Sequence, residues 1–358
     1  MRPLSATESI TPAIDRTKHL LFSPFRKGRT WKLCATSYAC RFGSLYLPFP
    51  LLYLAMFPAF RRAGTAFFAL IAVVILVLLA LFTWVFHLCS RLQFAYFDMV
   101  ANRGELVAPA WRKYGSPALP WTFFKGVTGA VFTAIFAVPF ITWMRNVLPL
   151  MSRMGHVQPG AQLDPQFARV MAIFYTGYGL VILFVFAGML LFGLFSDFVL
   201  PSLALENTGI REGFRRMGLL IQQEPGEFAL YVLLKSVLGF VGYMAAIIAW
   251  EIALILASLI VGGLIFLIGL GLHLAGIPTV LLTVVGVLLA IVWYVVAMYT
   301  VVFPIGIVLT WMDAYAIYFL GGRYPLLGDM LDRSTPPPAA PAFDMYAPGY
   351  PPPVPPTA

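Results

Sequence analysis

From Ala66 to Phe86 the chain runs through 21 residues without one charged side chain. About 20 apolar residues make a helix long enough to cross the roughly 30 Å hydrocarbon core of a bilayer. That run restricts the fold more than any other feature of the sequence. Similar runs follow at Trp121–Trp143, Val170–Phe195, Phe228–Ala275 and Thr279–Leu320. They are continuous rather than short and alternating, which argues for helical spans and against a β-barrel. Composition agrees. Only 11% of the 358 residues are charged and 60% are apolar, whereas a soluble domain carries about 25% charged residues. The sequence therefore predicts an all-α, polytopic transmembrane helical bundle.

Counting the spans takes arithmetic. Trp121 and Trp143 bracket a run of about 33 Å, the spacing of two aromatic belts. The 48 residues of Phe228–Ala275 would reach about 72 Å as one helix, so a fold-back near Trp250–Glu251 is expected. Thr279–Leu320 holds one span plus an interfacial segment with Asp313, or two spans. Phe42–Phe60 carries Pro48, Pro50 and Pro58 and either spans, re-enters or lies at the interface. The total is six to eight spans.

Three regions follow. Residues 1–41 form a basic cytoplasmic segment with an interfacial helix, rich in Arg26, Lys27, Arg29, Lys32 and Arg41. With no apolar run near Met1, no cleavable signal is expected and the first span serves as the insertion signal. Residues 42–322 form the transmembrane helical domain. Residues 323–358 form a Pro-rich disordered tail, with ten prolines after position 334, open to a protein partner. The formal net charge of +9 sits beside the spans, where anionic headgroups and the positive-inside bias account for it; nucleic acid is not expected. Cys34, Cys40 and Cys89 are too few for a disulfide framework or a zinc site.

An internal repeat is visible, covering 66–144 and 170–250. Asn102 aligns with Asn207, Gly104 with Gly209, and Trp111-Arg112-Lys113 with Phe214-Arg215-Arg216. Each copy leads into a span with an early lysine, Lys125 or Lys235. Ile210, Phe214, Met217 and Ile221 fall on one face of a helix, so both copies read as amphipathic helices lying in the headgroup plane. Being basic, both are expected on the cytoplasmic side with the N-terminus. Arg112, Lys113, Lys125, Arg211, Arg215, Arg216 and Lys235 are the candidate contacts to anionic lipid, the two lysines by snorkelling.

The strings Ser23-Pro-Phe-Arg-Lys-Gly-Arg-Thr-Trp-Lys-Leu33, Phe94-Ala-Tyr-Phe-Asp-Met-Val-Ala-Asn-Arg-Gly104, Pro201-Ser-Leu-Ala-Leu-Glu206 and Gly213-Phe-Arg-Arg216 resemble those of uncharacterised bacterial multi-pass membrane proteins. These are similar to the membrane domain attached to some glycerophosphodiester phosphodiesterases. The resemblance implies a helical protein of the bacterial inner membrane. It brings no catalytic residues, since a barrel of about 250 residues has no room here.

Chemistry is sparse. His19, His87, His156 and His273 are scattered, and no phosphate-binding, nucleophile or zinc motif appears, so no catalytic site, cofactor or metal is expected. The candidate intramembrane polar residues are Glu251, His273 and Asp313, with Lys235. Glu251 is expected at a turn and Asp313 at an interface. Asp98 and Asp197 occupy like places, after a span and before a repeat copy. The leading expectation is a non-enzymatic scaffold, assembly or lipid-interacting module. The alternative is a transporter or channel for a small or lipidic solute. An enzyme of lipid metabolism would need Asp98, Asn102, Asp197, Glu206 and Asn207 to converge.

Overall fold

The computed structural model describes residues 2–23, 25–42, 65–104, 106–154 and 165–334. The tail after Ser334 and nearly all of Phe42–Phe60 lie outside the described residues. Within them the chain is helical, without a strand. Two short helices come first, α1 (Ile10–Phe22) and α2 (Lys27–Phe42). A long helix α3 (Thr65–Asn102), the short α4 (Val107–Lys113) and a second long helix α5 (Gly115–Met154) make the first repeat unit. The second unit is α6 (Pro165–Phe198), α7 (Leu200–Glu206), α8 (Ile210–Gln223) and α9 (Pro225–Leu274). Then follow α10 (Thr279–Thr300), α11 (Val302–Gly321) and α12 (Pro325–Ser334).

Five stretches are long and apolar enough to cross a membrane: Leu70–Asn102, Gly115–Trp143, Met171–Glu206, Pro225–Leu274 and Thr279–Gly321. The expected fold-back at Glu251 is absent. α9 is one helix of 50 residues, because neither Glu251 nor the Gly262-Gly263 pair supplies a proline or an αL turn to end it. Its reversal comes at Gly276, whose φ of 90° only glycine adopts without strain, with Pro278 beside it.

The six principal helices pack as a ring, α2 on α3, α3 on α5, α5 on α6, α9 on α11 and α11 on α2. Contacts of Phe198 with Phe228 and Tyr231 join α6 to α9. The ring is dense at one end only. Phe94–Ala101, Tyr114, Trp121, Phe198–Leu203, Tyr231 and Ala314–Leu320 are buried there. Beyond them the helices carry their apolar side chains outward, and the most apolar stretch of α9 has no buried residue. Such faces are stable only against lipid or another apolar surface.

The dense end is closed by the short helices. α8 turns Phe214 against Phe124 and Phe195 at about 5 Å. Ile210, Met217, Leu220 and Ile221 also pack on the core. A Cβ on Gly213 would come within 2.9 Å of Ser202 Oγ and Val199 Cγ1, so only glycine admits this approach without displacement. In α4, Trp111 lies under the Arg91 guanidinium and Tyr114 is buried. The amphipathic faces expected on acyl chains therefore cover protein.

The N-terminus belongs to the same end. Ala6 N–H donates to Glu227 at 2.9 Å, Tyr315 O–H donates to Ala6 O, and Arg323 donates to Leu4 O. The Arg16 guanidinium, 1% exposed, caps α3 by donating to the carbonyls of Val100 and Ala101, where the helix dipole is negative. Burial lowers its pKa from the ordinary value.

Candidate polar chamber

The two units repeat one arrangement of three side chains. In the first, Gln93 Oε1 accepts from Trp121 Nε1 at 3.0 Å and from Lys125 Nζ at 2.8 Å. In the second, Asp197 Oδ2 accepts from Tyr231 O–H at 2.9 Å and from Lys235 Nζ at 2.5 Å. The donor pairs sit at i,i+4 on α5 and α9, one above the other on a helix face. Phe94 and Phe198 follow the acceptors, each edge-on to the donor ring, Trp121 or Tyr231.

The backbone fixes the register of this repeat. Arg103 and Asn207 are the non-glycine residues at positive φ among the described residues, at 55° and 54°. Each ends its helix in the left-handed conformation. Gly104 N–H closes the first turn on Met99 O, and Asn207 N–H bonds Leu203 O in the second. Arg103 thus corresponds to Asn207, one residue from the match of Asn102 with Asn207 that the letters suggest. The same step relates Gln93 to Asp197. The donor pairs are six residues further apart, because α8 has 14 residues where α4 has 7.

A third pair completes the layer. Arg41 on α2 donates to Asp313 on α11 at 2.6 Å. Burial works against the charge of this guanidinium, yet Asp313, with Asp197 further off, outweighs it and holds the pKa above its ordinary value. Tyr96 O–H to Thr310 Oγ1 at 2.7 Å and Gln93 Nε2 to Cys40 O at 2.9 Å tie α3 to α11 and α2. Cys40 is buried among these groups, which pushes its thiol well above the ordinary pKa; Cys34, on the same helix, is raised by burial to about 12.

Between the pairs lies a cavity of about 60 Å³. Its polar wall is Arg41, Gln93, Ser196, Asp197 and Asp313, and Ala316 and Ile317 form part of its apolar wall. Arg41 Nε and Ser196 Oγ face no hydrogen-bond partner although both atoms are buried. At about 10–15 Å³ per water-sized occupant, the space holds about four to six.

The candidate residues divide sharply. Asp313 and Lys235 join the layer. Glu251 and His273 do not; both are exposed on α9. Asp313 is not at an open interface but in an ion pair. Lys125 does not snorkel: it is fully buried, with Phe86 and Trp121 rings about 5 Å from Nζ. Lys235 turns inward to Asp197, because a carboxylate 2.5 Å away competes with the headgroup layer. Lys113 pairs with Asp98, Arg215 with Glu212, and Arg216 with Glu206 and Glu212. Arg112 and Arg211 are exposed. The five polar residues of the lipid-enzyme reading separate. Asp98 and Asn102 bond each other, Asp197 enters the chamber, and Glu206 binds Tyr324 and Arg216.

Sequence reasoning missed Arg41, Gln93, Trp121 and Tyr231 as site residues. The i,i+4 pairs Trp121–Lys125 and Tyr231–Lys235 were the available signal, each placing a polar hydrogen beside a lysine in an apolar run.

A ring of long apolar helices closed at one end around an internal polar layer defines a multi-span helical membrane protein. The chain belongs to the Family of unknown function (DUF7544), whose model matches residues 4–330. No curated protein and no solved structure matches it.

Proposed function

We propose that the chain is a non-enzymatic membrane module that binds a small polar solute in the chamber, as a transporter or channel does. The observation that carries this reading is the meeting of Arg41, Asp197 and Asp313 around a cavity with two buried, unpartnered polar atoms. A bundle needs no such charges to hold together. Buried ion pairs are often no more stabilising than apolar side chains of the same volume, and ionisable groups among spans are the default functional candidates. A scaffold or lipid-surface role draws less support, because α4 and α8 spend their apolar faces on the bundle. We place the closed end in the cytoplasm, since the exposed Arg112 and Arg211 sit on the short helices that close it.

Thiol accessibility tests the reading. In a background with Cys34, Cys40 and Cys89 replaced by alanine, Ala316→Cys faces the chamber and Leu259→Cys faces outward on α9. Small water-soluble thiosulfonates applied to vesicles are expected to modify the first and spare the second. Equal protection of both would show that water does not reach the chamber and would end the reading.

A further inference from the structure

The connection between α1 and α2 exposes two phenylalanine rings. Phe22 ends α1 and Phe25 stands just before α2. They are 42% and 52% exposed, and the rings stack at 6.2 Å between centroids with their planes 15° apart. The connection is held in place from inside. The buried Thr30 hydroxyl donates to Leu21 O at 2.7 Å, and Thr30 N–H donates to Arg26 O at 3.0 Å. Leu20, Leu21 and Leu33 are buried against the bundle. Three leucines therefore face the core while the larger rings stay outside in a fixed pose.

The charges around the rings are nearly all of one sign. Lys18 precedes Phe22 by four residues, on the same face of α1, and Arg26 follows Phe25. Both are exposed, as is Lys32 on α2. Asp15, 3.9 Å from Lys18, is the last acidic residue in the sequence before Asp98. The tip also stands beside a membrane span. Trp31, one turn into α2, stacks on Tyr299 of α10 at 4.5 Å, and Tyr299 lies in the apolar stretch Thr279–Gly321. Trp and Tyr are enriched where spans meet the headgroups.

Exposed rings among basic side chains match the two layers of a membrane surface, rings at the acyl boundary and cations at the phosphates. We propose that the α1–α2 tip is a lipid anchor: Phe22 and Phe25 insert at the acyl boundary of the protein's own membrane, and Lys18, Arg26 and Lys32 bind its anionic headgroups. This contact is distinct from α4 and α8, whose apolar faces cover the bundle. α2 carries the anchor at one end and Arg41, the cation of the chamber wall, at the other.

The test uses the full chain in lipid vesicles, with Cys34, Cys40 and Cys89 replaced by alanine and a nitroxide on Ser23→Cys, an exposed site between the two rings. Arg211→Cys on α8 is the reference. Collisions with a water-soluble nickel chelate and with oxygen report depth. In phosphatidylcholine mixed with phosphatidylglycerol, the Ser23→Cys label is expected to be shielded from nickel and open to oxygen, and the Arg211→Cys label open to nickel. Lys18→Gln and Arg26→Gln are each expected to move the balance of inserted and open tip about fivefold toward open, the worth of one cation at an anionic surface. Phe22→Ser combined with Phe25→Ser is expected to open the label in either lipid. These side chains are exposed, so each variant is expected to unfold in detergent at the temperature of its background, which separates loss of anchoring from loss of fold.

A Ser23→Cys label as open to nickel as the one at Arg211→Cys would overturn the proposal. So would shielding that is equal in pure phosphatidylcholine and indifferent to Lys18→Gln and Arg26→Gln. Shielding with dipolar broadening between labels would assign the tip to a second copy of the chain and would overturn it too.

Discussion

The first and second repeat units hold the same three-residue device, but one is built on an amide and the other on a carboxylate. Gln93 gathers Trp121 and Lys125, whereas Asp197 gathers Tyr231 and Lys235. The geometry is nearly the same, and the energetics are not. Hydrogen bonds to an ionised acceptor are about twice as strong as neutral ones. A buried charge whose partner is removed costs far more than a lost neutral bond. The first unit is therefore tolerant and the second brittle.

The largest expected effect tests that contrast directly. Lys235→Met leaves Asp197, 4% exposed, as an uncompensated buried carboxylate and is expected to destabilise by about 3–5 kcal/mol. Lys125→Met removes a bond to a neutral amide that still accepts from Trp121, and loss of that bond should cost about 1 kcal/mol. Equal losses in chemical unfolding would mean that the two acceptors carry the same charge, against the difference drawn here. The donor rings come next. Tyr231→Phe removes a bond to a carboxylate, about 1.5–3 kcal/mol, and Trp121→Phe a bond to an amide, about 1 kcal/mol plus its lost volume.

The turns give a smaller effect with the opposite sign. Arg103 and Asn207 both hold the left-handed conformation, but asparagine tolerates it better than arginine. Arg103→Gly is expected to stabilise by about 0.5–1 kcal/mol and Asn207→Gly by a few tenths. The smallest effect is one of pH. Arg215 and Arg216 hold the Glu212 carboxyl down to about 2 from an ordinary 4.5. Its folded pKa is depressed, so its contribution is present above pH 4.5 and is lost as pH falls toward 2. Glu212→Gln should flatten that part of the acid unfolding curve slightly, and the first unit, with no such cluster in α4, should lack the step.

The helical class was legible because apolar runs of 20 residues have few other fates in water or lipid. The pairing of the two similar segments came out one residue away from the backbone's. Letter matching favoured Asn102 with Asn207, whereas the αL backbone pairs Arg103 with Asn207, and φ is not written in residue type. The continuity of α9 was not legible, since bilayer thickness predicts a fold-back and only local backbone chemistry ends a helix. The chamber was half legible. Asp313 and Lys235 stood out as charges in apolar surroundings, and Gln93 did not, because an uncharged amide carries no flag until the lysine across from it is seen. Arg41 was read as one more basic residue of the N-terminal segment; that α2 packs along α11 is a long-range fact that no window of sequence contains.

The unbroken length of α9 has a mechanical consequence. Fifty residues make a rod of about 75 Å, and even the steepest common inclination, about 40°, leaves it spanning about 57 Å against roughly 30 Å of acyl chain. Its first third packs on the ring through Phe228, Tyr231 and Lys235, and further along Trp250 and Ser258 bond to Thr300 and Trp293 of α10. Beyond the closed end α9 and α10 form one antiparallel arm, joined by the turn at Gly276, with its base at the residues that close the chamber. A thicker or thinner bilayer would press on that arm before it touched any other part of the molecule.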